Sequence, residues 1–334
     1  MFENESVLSF PKIELHVHLE GTVGPRDLLE MARRNGVGLP ADNEDDLAGL
    51  YVYRDFEHFL ELWLMTTSAI RTERDFRQVV LSYARIAASH GAVYIEGIFS
   101  PAERTNDNAS WDEVFAGFCD GAAEAKELTG VEVRLTTDIG RGMDIDTAIR
   151  TATYSVKYRD RGIVGLGLGG PEAQYPAAPY QRAFLIAKEG GIGSVPHAGE
   201  AAGAASVREV VEVLHADRIR HGIRALEDPG LVRELAARGI VSDVCPISNL
   251  RTGVVKSLQE HPLAAMIGAG LLCSIGTDDP AMFDTDLSRE YETAASIGCS
   301  PEQAFRAGVQ GALCDDMTRS ALRETGANFG WIHK

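Results

Sequence analysis

At 334 residues, with 45% hydrophobic and 24% charged side chains, the chain has the composition of a soluble globular protein and not of a disordered one. Its formal net charge of -17 repels phosphate backbones and anionic bilayers, so no nucleic acid and no membrane is an expected partner. No segment approaches the ~20 apolar residues of a membrane span, and five widely spaced cysteines give neither disulfide nor zinc-ribbon spacing, which suits a cytoplasmic chain.

The opening MFENESVLSF lacks the basic stretch and apolar run of a signal peptide. The first β-rich run is Ile13–His18, followed by helical periodicity over Pro25–Asn35, Phe56–Ile70 and Asp75–Ser89. Val93–Phe99 reads as a second strand, Trp111–Leu128 as a helix, and Val131–Ile139 and Ile163–Gly170 as further strands. The alternation continues through Gln181–Lys188 (helix), Gly193–His197 (strand), Ser206–Leu214 (helix), Arg218–His221 (strand) and Pro229–Arg238 (helix). Strands at Ile240–Pro246 and Leu272–Asp278 complete the series, and Asp286–Leu322 reads as closing helices. Eight strands alternating with helices suggest a (β/α)8 TIM barrel, with a doubly wound open sheet as the alternative. A single domain over residues 1–334 accommodates it. The helices inserted after the first strand fall where a barrel carries a lid. Phe56, Phe59, Leu60 and Trp63 there suit either a pocket wall or an ordinary buried helix face.

Four motifs fall at strand ends. In His16-Val17-His18, alternate residues of a strand share a face, so two imidazoles point together as half of a metal site; a solvent-facing pair is the plainer reading. His197 ends a strand, and Glu200 follows it on a βα loop, where a shielded carboxyl has a raised pKa and can donate a proton; such a glutamate also caps helices. His221 closes RIRH. Asp278-Asp279 pairs two carboxylates, whose burial needs a cation or a shared proton, although Asp-Pro also makes turns. Each motif alone is ordinary. At the carboxyl ends of different strands they form a nitrogen-rich site suited to zinc with a bound water. Gly165, Gly167 and Gly170 match G-x-G-x-x-G, with Glu189 about 20 residues on, but lie in the fourth strand and open no helix, which argues against a dinucleotide site.

These residues resemble the adenosine deaminase family of the amidohydrolase superfamily, from PKIELHVHLEGT through HAGE, RIRHGIRALED and CPISNL to GTDDPAMF, in family order. The resemblance implies one zinc per chain on a TIM barrel, ligated by His16, His18, His197 and Asp278. It implies that Glu200 protonates N1 of a purine, that His221 takes a proton from the metal-bound water and orients it, and that Asp279 helps to hold hydroxide and ring. His18 and Glu20 would contact substrate, and the Gly170 N–H would meet purine N3. The expected reaction is deamination of a 6-aminopurine nucleoside to the 6-oxopurine and ammonia. This sequence departs from the adenosine-specific pattern at Glu20 (usually Asp), at Gly167 (usually near an acidic residue) and at Ile98 (usually Arg). The phrases GLGLGGPE and SPAERTN are similar to those of 6-aminodeoxyfutalosine deaminases of menaquinone synthesis, and Glu20 is shared by those and the adenine deaminases. An adenine deaminase and a non-catalytic metal- or purine-binding protein are the alternatives. GLGLGGPEAQYP holds no lysine to bridge two metals, which favours a mononuclear site over a binuclear cyclic-amide hydrolase, and the absence of P-C-x-x-C separates the chain from deaminases of flipped bases. A small purine is the expected partner, and the sequence is compatible with a homo-oligomer.

Overall fold

A computed structural model describes residues 10–105 and 109–331; most of the opening decapeptide and Asn106 of SPAERTN lie outside them. The strands are parallel and buried on both faces, which is why the sequence is apolar there with only isolated polar side chains. β1 (Lys12–His18), β2 (Ala92–Phe99), β3 (Glu132–Gly140), β4 (Ile163–Gly169) and β5 (Gly193–Ser194) pair in sequence order. So do β6 (His197–Ala198), β7 (Arg218–His221), β8 (Val241–Val244) and β9 (Leu272–Ile275). The two runs are halves of a (β/α)8 barrel. Val195 N–H donates to Leu166 and the Pro196 carbonyl accepts from Arg220, so the fifth strand passes from the β4 side to the β7 side. It is split into β5 and β6 because proline has no N–H to give. At the other seam Val17 bridges Asp278, with His18 N–H donating to the Asp278 carbonyl at 2.7 Å.

The expected strands recur with their ends moved by no more than a few residues. β9 stops at Ile275, three short of Asp278, since Asp278 turns into the left-handed region at φ 63°. The inserted helices Pro25–Asn35 and Phe56–Thr67 are present, with a short helix at Glu44–Gly49 between them. Asp55 caps the Phe56–Thr67 helix by accepting the His58 N–H at 2.9 Å. The closing region is three helices, Leu287–Ser296, Pro301–Gly311 and Asp316–Asn328. No helix among the described residues is long and apolar enough to cross a membrane.

Charged groups, in place of the usual branched aliphatics, fill much of the barrel interior. Arg218 donates to Glu96 at 2.7 Å, to Asp243 at 2.5 Å and to the Gly311 carbonyl at 2.6 Å. Tyr94 and Ser274 satisfy the remaining oxygens of those carboxylates. Two residues along the strand, Arg220 pairs with Asp138 and donates to Thr136 Oγ1 at 2.7 Å. This floor carries the site above it.

Candidate active site

The four motifs meet at the carboxyl ends of the strands. His16 Nε2 and His18 Nε2 lie 3.3 and 3.4 Å from Asp278 Oδ1, and His18 Nε2 lies 3.2 Å from His197 Nε2. His16, His197, His221 and Asp278 each offer a donor atom within 4.8 Å of the others, as do His18, Asp278 and Asp279. His221 and Asp278 both have positive φ, 61° and 63°, a strained backbone that turns their side chains inward at the ends of their strands.

Hydrogen bonds distinguish the imidazoles. His16 Nδ1 donates to the Asp243 carbonyl at 3.2 Å and His197 Nδ1 to the Leu168 carbonyl at 3.1 Å. Both therefore turn a bare Nε2 lone pair to the centre, as metal ligands do. His16 Nε2 is buried and has no hydrogen-bond partner, an orphan that a metal would satisfy. His221 is set the other way. Leu263 N–H donates to His261 Nδ1 at 3.2 Å, leaving His261 Nε2 as a donor to Asn249 Oδ1 at 3.2 Å. Asn249 Nδ2 then donates to His221 Nδ1 at 3.1 Å, so the proton of neutral His221 sits on Nε2, 3.5 Å from Glu200 Oε2. Though close enough to ligate, His221 carries a proton where a ligand needs a lone pair. Burial disfavours the charged form of three of the rings, bringing His18 down to about 4 and lowering His197 and His221 as well. Three imidazoles and one carboxylate are a donor set that fits zinc.

The carboxyls divide by environment. Burial opposes ionisation of Asp278, but the His16, His221 and His18 rings beside it hold its carboxyl well below the usual range. Ser248 Oγ donates to it at 2.6 Å. Burial, then the Asp278 charge, pushes Asp279 up. Trp63 Nε1 donates to Asp279 Oδ1 at 2.7 Å, and Gly21 must be glycine, because a Cβ there would stand 1.8 Å from that oxygen. Burial, then Asp278 and Glu172, raises Glu200 well above its ordinary value, which favours its protonated, proton-donating form. Glu172 holds the loop that carries it, accepting from the N–H groups of Gly199, Glu200, Ala201 and Ala202 at 2.6 to 3.1 Å and from Ser206 Oγ at 2.5 Å.

A cavity of about 230 Å³ opens on this cluster. His18, His197, Glu200, His221, Asp278 and Asp279 line it, as does Gly170, whose φ of 98° favours glycine. Phe56, Phe59, Leu60 and Trp63 all line it too, so the inserted helix is a pocket wall; Phe59 and Trp63 also pack with Phe283 and Met282. Glu20 is not brought to the cavity. It is buried, accepting the Ser100 N–H at 2.8 Å with Arg104 beside it, and among the described residues its other oxygen has no hydrogen-bond partner. The acidic group missing at Gly167 is supplied by its neighbour in the sheet. Asp138 pairs with Gly167 in register, and a Cβ at Gly167 would lie 2.2 Å from Asp138 Oδ1.

Sequence reasoning missed Asp138, Glu172, Asn249 and His261. Asp138, two residues from the end of β3, carried the strand-end signal used for the histidines. Glu172 reaches Gly199 across 27 residues, Asn249 reaches His221 across 28 and His261 reaches Asn249 across 12, and no spacing rule reports them.

A family model described as adenosine deaminase matches residues 11–327. The chain is 52% identical over 333 residues, 98% of its length and 94% of the relative's, to an aminodeoxyfutalosine deaminase of Acidothermus cellulolyticus. Its fold is similar to that of an adenine deaminase from Arthrobacter aurescens, with a TM-score of 0.90, 29% identity and coverage of 95% and 98% of the two chains. It is also similar to an amidohydrolase with bound Zn from Burkhoderia ambifaria, with a TM-score of 0.86, 27% identity and coverage of 95% and 90%.

Proposed function

Since the chain belongs to the adenosine deaminase family, we propose that it is a zinc-dependent hydrolase that releases ammonia from a 6-aminopurine nucleoside, with 6-aminodeoxyfutalosine as its substrate. The observation that carries the reading is the contrast within one cluster. His16 and His197 present bare nitrogens and Asp278 a carboxylate, while His221 carries its proton on Nε2 and burial favours the protonated form of Glu200. His16, His18, His197 and Asp278 would hold the metal. Zinc supplies Lewis acidity there, drawing the pKa of water toward ~7.

The chain's own groups do the rest. Glu200, whose protonated form is favoured by burial, gives a proton to N1 as C6 loses its aromatic character. His221 orients the attacking water by donating from Nε2. The proton-acceptor role that the family resemblance implies for it needs a different tautomer from the one that Asn249 and His261 favour. Asp279, fixed by Trp63, steadies water and ring from the other side. Of the two water protons, one ends on N1, through Glu200, and the other leaves in ammonia; the oxygen becomes the 6-oxo group.

The 52% identity to a deaminase named for aminodeoxyfutalosine supports the substrate. One domain carries the whole reaction in this reading, and a non-catalytic binder is not favoured. The test is kcat/KM for 6-aminodeoxyfutalosine, adenosine and adenine under one set of conditions. We expect the first to lead by at least about tenfold, the scale of one lost contact. A clear preference for adenosine or adenine sinks the substrate but keeps the deaminase.

A further inference from the structure

The cavity has two ends. The metal-type ligands and proton-carrying groups stand on or just after β1, β6, β7 and β9. Facing them across the mouth is the arc that follows β2, β3 and β4, with Ser100, Glu103, Gly140 and Arg141. In a purine, C6 and N1 lie at one end and N9 at the other. A ring with its 6-amino group at the metal cluster therefore turns its N9 substituent toward the arc. The nearby wall of Phe56, Leu60 and Leu64 is apolar. A sugar's hydroxyls, stripped of water there, need polar partners from the arc, because an unmade buried hydrogen bond is costly.

Most of the arc's polar groups are already engaged. Arg141 donates to the Tyr175 carbonyl at 2.7 Å and to the His197 carbonyl at 2.8 Å. The Ser100 N–H is taken by Glu20. Glu103 differs. Its Oε2 is buried without a hydrogen-bond partner, and its Oε1 lies against Gly140, where a Cβ would come within 2.8 Å. Burial holds this carboxyl up at about 7, despite the charge of Arg104 beside it. A carboxyl so placed has acceptor capacity at Oε2 that no hydrogen bond among the described residues uses.

We propose that Glu103 reads the sugar: it accepts hydrogen bonds from hydroxyls of an N9-linked ribose and makes the site prefer nucleosides to free purine bases. Glu20, the acid that sequence position points to, is not among the residues that line the cavity, whereas Glu103 is. The proposal rests on the deaminase reading and adds to it the residue that sets specificity.

Glu103→Gln and Glu103→Ala in zinc-loaded protein test it. The quantity is the ratio of kcat/KM for the preferred nucleoside to that for adenine, with adenine measured as a competitive inhibitor if it is not turned over. We expect Glu103→Ala to lower the ratio roughly 10- to 100-fold, the equivalent of one hydrogen bond to a charged group, chiefly through KM. The glutamine variant, which keeps one acceptor, should fall less. Calorimetric binding of inosine against hypoxanthine should show the same loss without turnover. Equal losses for nucleoside and base, or an unchanged ratio, overturn the proposal. Wild-type protein that releases no ammonia from any 6-aminopurine overturns the deaminase reading instead, and this inference with it.

Discussion

Glu200→Gln should lower ammonia release by about 10²- to 10⁴-fold while metal content stays at the wild-type level. Glutamine keeps the size and the acceptor of Glu200 but has no acidic proton. Burial, then the charges of Asp278 and Glu172, raises the wild-type carboxyl and so favours the form that carries this proton. Its loop is held by Glu172 through four backbone N–H groups, so the substitution should leave the loop in place and remove only the proton. Glu200 stands against His221 and outside the His16, His18, His197 and Asp278 set, and so metal should be retained. Steady-state ammonia assays with metal analysis on the same sample check both halves. Loss of metal together with activity would mean that Glu200 is a ligand and not an acid.

The largest expected effect on stability is at Arg218. This side chain is wholly buried, and it neutralises Glu96 and Asp243, which are buried with it. Arg218→Met removes the cation and leaves two carboxylates in the barrel interior, at a cost of about 3–5 kcal/mol by analogy with other broken buried pairs. The damage should reach the metal, because the Asp243 carbonyl fixes the His16 ring. Urea unfolding, followed in parallel with zinc affinity, measures both. A midpoint within about 0.5 kcal/mol of wild type would show that the network is not what holds the barrel interior together.

The barrel was legible because its signals are local. Strands buried on both faces read as apolar runs, helices between them keep their period, and Arg218–His221 and Pro229–Arg238 agree with the structure to the residue. The fifth strand was legible as a run, but not its break, which follows from one missing N–H at Pro196. At the site, His-x-His and Asp-Asp were visible because strand geometry puts neighbours in sequence on one face. Which histidine ligates and which carries a proton was not visible from spacing, because it depends on Asn249 and His261, far from His16 in sequence and joined to His221 only by the fold. Glu20 shows the same limit: its position suggests a sugar contact, and spacing does not report that one of its carboxylate oxygens accepts the Ser100 N–H.

The most direct test of metal-dependent deamination is ammonia release from 6-aminodeoxyfutalosine by chelator-stripped protein, before and after zinc is returned. The account predicts no release from the stripped protein, then ammonia and the 6-oxo product in equal amounts once zinc is supplied. Undiminished release without metal would contradict it, as would silence with zinc bound across 6-aminodeoxyfutalosine, adenosine and adenine.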